Sequence, residues 1–145
     1  MANQQNFSNH GRFFPLFHFV AAPILLANLI WSFFRLKHDN YSAYSIFQVF
    51  VAFALVVTLL VARLMALKVQ DRVIRLEMQL RLQSLLPADQ RTRIPEFTLS
   101  QLVALRFASD PELPELARKV LDEKLHDRKA IKQLIKVWRP DYLRA

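Results

Sequence analysis

His18 lies inside a 22-residue stretch without charge, Phe13 to Phe34, where a histidine could ligate a membrane-embedded haem iron. Such iron commonly takes a second histidine from a facing helix. The other long apolar stretch, Ile46 to Leu67, has none, and His10, His38 and His126 fall outside both stretches. His18 therefore reads as a packed or interfacial side chain, and no cofactor is expected. The 12 carboxylates fall at positions that helices would turn to solvent, with no nucleophile gathered beside an acid and a base, so no enzyme is expected. The absence of cysteine excludes disulfides, thiol nucleophiles and thiolate metal sites. A single glycine argues against phosphate-binding loops and tight hairpins.

The remaining candidates are cationic. Arg63 falls about one turn inside the second apolar stretch, where its stem can carry the charge to water; contact with a lipid phosphate or a partner carboxylate is the functional alternative. Arg106 sits beside Leu102 and Val103, on what should be the buried side of a helix. Either its stem packs with the guanidinium at the rim, or it pairs with Asp110, Glu112 or Glu115. Arg128, Lys129, Lys132 and Lys136 recur along the polar side of the last predicted helix, as a solvated face or as a surface for anionic lipid or nucleic acid.

The elements that must carry these residues follow from the charge distribution. Residues 1–67 hold four basic residues against Asp39, net +3, whereas residues 68–145 hold 16 basic and 11 acidic residues, net +5. Each apolar stretch is long enough to cross a bilayer core of about 30 Å at about 1.5 Å per residue. The first ends in Trp31, Phe33 and Phe34 and not in the small residues of a signal-peptide cleavage site. Pro15 and Pro23 each remove a backbone donor and can bend it. The short connection Arg35 to Ser45 predicts an antiparallel transmembrane hairpin. Arg12, Arg63, Lys68, Arg72 and Arg75 then flank one side, against Arg35 and Lys37 on the other, which orients both termini to the cytoplasm.

From Ile46 to Leu86 there is neither glycine nor proline, so the second span should continue as one helix of roughly 60 Å, half of it in water. Beyond the span, Ala66, Val69, Val73, Leu76 and Leu80 repeat at alternating spacings of 3 and 4, a coiled-coil-like seam and candidate interaction surface. A second row, Leu67, Ile74, Met78 and Leu85, makes the apolar face wider than a two-stranded coil uses, so part of this surface should receive the helices that follow. Asp71 with Arg75 and Glu77 with Arg81 form i, i+4 pairs on the expected solvent face. Pro87 ends the helix, and residues 88–93 read as a loop.

Thr98 and Gln101 form a capping box, with Phe97 and Leu102 placed as a hydrophobic staple, for a helix to about Ala108. Ser109, Asp110 and Pro111 stop and restart the chain, with Leu113, Leu116, Ala117, Val120 and Leu121 on one face to about Leu125. Asp127 caps a last helix with Ile131, Leu134, Ile135 and Trp138, closed by Pro140. Trp138 and Tyr142 are expected in the core or at a docking contact. The fold class is thus an all-α membrane protein: a tail (residues 1–12), a hairpin (13–67, spans 13–34 and 46–67), and a cytoplasmic domain (68–145) of three short helices on the long one.

The run Gln101-Leu102-Val103-Ala104-Leu105-Arg106-Phe107-Ala108-Ser109-Asp110, with Glu112-Leu113-Pro114, the segment from Gln70 to Glu77 and Trp138-Arg139-Pro140-Asp141-Tyr142, resembles an uncharacterised bacterial family of small two-span membrane proteins. The resemblance covers nearly the whole chain and implies two spans followed by a helical cytoplasmic domain in the inner membrane. Proteins of this kind are sometimes labelled transporter permeases, which two spans without a nucleotide-coupling element do not support. It supplies no catalytic residues. The expected role is an interaction or scaffold protein, as an accessory subunit or a homo-oligomer. The alternative is tethered binding of anionic lipid or nucleic acid through the basic last helix, with nucleic acid disfavoured by interspersed acidic residues.

Overall fold

The computed structural model describes Phe7 and residues 14–141. Apart from Phe7, the tail over residues 1–12 with His10 and Arg12, the span start at Phe13, and Tyr142 lie outside the described residues. Those described are helical, with one isolated antiparallel bridge, Ala108 to Trp138. They divide into two compact units at Leu67 and Lys68, a boundary that falls inside one helix.

In the first unit a π-helical turn, Leu16–Ala21, runs directly into α1, Ala22–His38. The widened turn precedes Pro23, whose ring crowds the carbonyl one turn back and whose nitrogen donates nothing. The helix continues past Phe34 to His38, and Arg35 and Lys37 in its last turn are cations suited to a helix C-terminus. Asp39 closes it, with Arg35 at 2.9 Å and His38 at 3.1 Å. The connection is therefore shorter than predicted, Asp39 to Ser42. Asn40 and Tyr41 take left-handed backbone angles there, φ 52° and 58°, and the Ser42 hydroxyl accepts from the Ser45 amide at the start of α2. The long helix α2, Ala43–Leu85, has 43 residues and spans about 65 Å.

Burial in this unit is inverted relative to a water-soluble core. Phe19, Ile24, Trp31, Phe34, Phe47, Phe50 and Phe53 are exposed, whereas the buried residues among those described are Ser32, Ser45 and Ala52. Both helices are long and apolar enough to cross a membrane.

The second unit begins with the rest of α2 and adds α3 (Ala88–Arg91), a 3-10 turn (Ile94–Glu96), α4 (Leu99–Leu105), α5 (Leu113–Asp122) and α6 (Arg128–Gln133). Its core is one cluster, with Ile74, Met78, Leu82 and Leu86 from the long helix and its end meeting Phe97, Leu102, Leu105, Phe107, Leu113, Val120 and Ile131. The Thr98 hydroxyl accepts from the Gln101 amide, and Gln101 Oε1 accepts from the Thr98 amide, so both halves of the capping box form. Gln101 is buried and spends its amide on the Leu125 carbonyl at 2.9 Å, which ties α4 to the chain leading into α6.

Four boundaries differ from expectation. Residues 88–93, read as loop, contain the single turn α3. The helix predicted to reach Ala108 stops at Leu105. The restart falls at Leu113, two residues after Pro111, with Pro114 in the first turn and the last helical residue at Asp122. The helix predicted to run to Trp138 ends at Gln133.

Candidate functional site

The two apolar rows on the second half of α2 have opposite fates. Of the second row Ile74 and Met78 are 5% and 3% exposed and Leu67 and Leu85 half-buried, with Leu82, outside the predicted row, at 0%, whereas Val69, Val73, Leu76 and Leu80 are 62%, 46%, 62% and 67% exposed. Residues four apart lie one above the other on a helix. Ile74, Met78 and Leu82 therefore form one ridge facing the chain's own core, while the 3-and-4 row lies around the helix from it. Beyond Leu67, the large apolar side chains left exposed among the described residues are these four and Val137.

Next to Leu80 lies an open cleft of about 700 Å³, lined by Glu77, Met78, Arg81, Arg106, Arg139, Pro140 and Asp141. Its floor is built by Arg81, a residue that local spacing assigns to Glu77. Arg81 turns instead to the corner between α4 and α5. Its Nε donates to Asp110 Oδ1 at 2.7 Å, Nη1 to the Arg106 carbonyl at 3.1 Å and Nη2 to the Ala108 carbonyl at 2.5 Å. No ion pair joins Glu77 to Arg81, or Asp71 to Arg75, among the described residues. Burial pulls the Arg81 pKa below its usual value, opposed by the Asp110 carboxylate. The planar guanidinium reaches three acceptors at once, a geometry an ammonium cannot match.

The same corner captures the segment after α6. The Ser109 amide donates to the Val137 carbonyl and the Arg139 amide to the Phe107 carbonyl, at 3.1 and 2.7 Å. Glu112 accepts the amides of Lys136 and Val137 at 2.8 and 3.1 Å. These bonds explain why the predicted helix stops early: backbone donors that would have continued it are spent on α5 and the corner. Arg139 adds a second cation to Asp110 at 3.2 Å. Arg106 finds its partner here too, in Asp141 at 3.3 Å and not in the three carboxylates expected, with its guanidinium 4.6 Å from the Phe107 ring centre. The run from Arg106 to Pro114 and the run from Trp138 to Asp141 thus form one contact, with Phe107 and Trp138 rings 5.0 Å apart.

Hydrogen bonding from Arg81, with a further contribution from Arg139, holds the Asp110 carboxyl below the usual carboxylate value. A depressed folded-state pKa contributes stability that is fully present above the unfolded value, about 3.9, and is lost as pH falls through the folded one. Thermal unfolding of the purified full chain is expected to be insensitive to this group from pH 7 to about pH 5 and to weaken below about pH 4. Asp110→Asn should flatten part of that acid limb, leaving the share of Asp127, which is lowered by the amides of Lys129 and Ala130. An unchanged limb would remove Asp110 from the account.

The four basic candidates do not share one helical face. Arg128 Nε donates to Ser100 Oγ at 2.9 Å, and the Lys132 ammonium lies 5.1 Å from the Phe107 ring centre. Lys129 is exposed on α6, and Lys136 is exposed beyond the end of that six-residue helix. In the first unit Arg63 lies over the Phe17 ring at 5.4 Å, a cation held by an aromatic face. His18 Nδ1 lies 2.9 Å from the Phe14 carbonyl oxygen, and its ring meets Phe17 edge-on at 5.0 Å. Among the described residues no three His, Asp or Glu side chains gather as a metal site.

Two of the runs that carry the resemblance, from Arg106 to Pro114 and from Trp138 to Asp141, thus help to build this corner. Over residues 1–145 the chain matches a family of unknown function, DUF6526. It belongs to that family. No curated protein and no solved structure matches the chain. Within this DUF6526 chain the Arg81 clamp is what local reasoning missed. Its only sequence signal is an arginine on the core-facing side of α2, one residue before Leu82.

Proposed function

We propose that this is a non-enzymatic, membrane-anchored interaction protein, an accessory subunit of a membrane complex or a homo-oligomer. The observation that carries it is the row Val69, Val73, Leu76 and Leu80, left exposed on a helix whose neighbouring row completes the core. Contiguous apolar surface on a water-facing unit mostly marks a site for another macromolecule. The corner of Arg81, Asp110, Glu112 and Arg139 supports the same reading, because its donors and acceptors are used to hold that unit together.

The inverted burial of the first unit supports insertion of both long helices as an antiparallel hairpin in the inner membrane, surrounded by lipid. Arg63 near the end of the second span and Lys68, Arg72 and Arg75 just after it outnumber Arg35 and Lys37 beside the connection, which favours cytoplasmic termini. Binding of lipid headgroups or nucleic acid through Arg128, Lys129, Lys132 and Lys136 draws less support, since the helix that would align them ends at Gln133.

Photo-crosslinking of the full chain in native membranes tests the reading. A photoreactive residue at Leu76 is expected to give protein adducts and one at exposed Arg75 few; monomer alone at Leu76, with nothing co-purifying, would overturn it.

A further inference from the structure

We infer that the occupant of the exposed row is the same row of a second copy of this chain, packed as a parallel two-stranded coil. The inference rests on the membrane-anchored interaction reading and specifies its partner.

The heptad assignment follows from the exposures. Val73 and Leu80 fall at a positions and Val69 and Leu76 at d. Ile74, Met78 and Leu82 then fall at b, f and c, the side already covered by the chain's own core. The seam and the core contacts therefore do not compete for the same face. Val73 at a with Leu76 at d is the pairing that favours two strands, whereas Val69 at d and Leu80 at a do not follow it.

Charge selects the partner and its direction. Arg72 occupies a g position and Glu77 the e position five residues on, the pair that faces across a parallel seam. Both are exposed and neither forms an ion pair among the described residues. In a two-fold parallel dimer Arg72 of each copy meets Glu77 of the other, so the contact forms twice. An antiparallel pairing would set g against g and e against e, cation on cation and carboxylate on carboxylate. Helices that leave the same face of one membrane run parallel without further constraint. Fewer than two heptads make a short coil in free solution, but confinement to a bilayer raises the effective concentration of one copy around another.

The absence of cysteine allows a clean test in the full-length protein in native membranes. Like d residues of a parallel pair face each other within disulfide reach. Under mild oxidation Leu76→Cys and Val69→Cys are expected to give a disulfide-linked dimer, while Arg75→Cys remains monomeric. In the Leu76→Cys background, Arg72→Glu or Glu77→Arg alone should lower the dimer yield several-fold, and the two together should restore it. Equal crosslinking at Leu76 and Arg75, or failure of the double exchange to restore the yield, would overturn the parallel pair. Heterologous photo-adducts at Leu76 without a disulfide dimer would overturn the second copy while leaving the interaction role standing. Loss of both signals would remove both.

Discussion

Phe107→Ala is expected to lower the unfolding free energy of the second unit by about 4 kcal/mol, the range seen when a buried aromatic ring is truncated without collapse of the site. Phe107 is fully buried at the turn after α4, and its ring is the common surface under Trp138, Arg106 and Lys132. Truncation therefore removes core volume and the platform on which the segment after α6 is seated. The measurement is denaturant unfolding of the full chain in mild detergent, followed by Trp138 fluorescence in a Trp31→Phe background, which leaves a single tryptophan. Phe107→Leu, which keeps most of the volume but no π face, should cost clearly less. A loss below about 1 kcal/mol for the alanine variant would mean that the ring is not the keystone of this core.

Arg81→Met is expected to cost about 3 kcal/mol, most of it from acceptors left without donors. The ion-pair share is small, because Asp110 is more than half exposed and also held by Arg139. The carbonyls of Arg106 and Ala108 are different, since both lie at the closed corner and lose a charged donor. Asp110→Asn should therefore be milder than Arg81→Met. Arg81→Lys should recover little, because one ammonium cannot serve the three acceptors together. Chemical unfolding of the three variants gives the order directly. Equal losses for Arg81→Met and Asp110→Asn would show that the ion pair alone matters.

Much of the helical framework was legible in the residues. The run without glycine or proline from Ile46 to Leu86 corresponds to α2, and Thr98 with Gln101 marks the start of α4 because capping is a local reaction among neighbours. What lay beyond reach depends on partners distant in sequence. Local spacing assigns Arg81 to Glu77 four residues away, whereas its carboxylate lies 29 residues along the chain. The spacing of Ile131, Leu134, Ile135 and Trp138 fits a helix, yet Glu112 and Ser109 draw off the backbone of Lys136 and Val137. Periodicity registers which side chains want burial and says nothing about distant groups such as the Glu112 carboxylate that compete for the backbone amides. Both rows of α2 could likewise be read from spacing, but which one the short helices would cover depended on the corner that Arg81 holds.

The C-terminal clasp has a consequence for the order in which the protein is made. Residues leave the ribosome from the N-terminal end, so Arg81 emerges before Asp110 and long before Arg139. Glu112 must wait for the amides of Lys136 and Val137. During that interval both apolar rows of α2 stand bare, and only one of them is later covered by the chain's own helices. If Val73 and Leu76 form the proposed seam, they are thus available to a second copy before the chain's own core has closed.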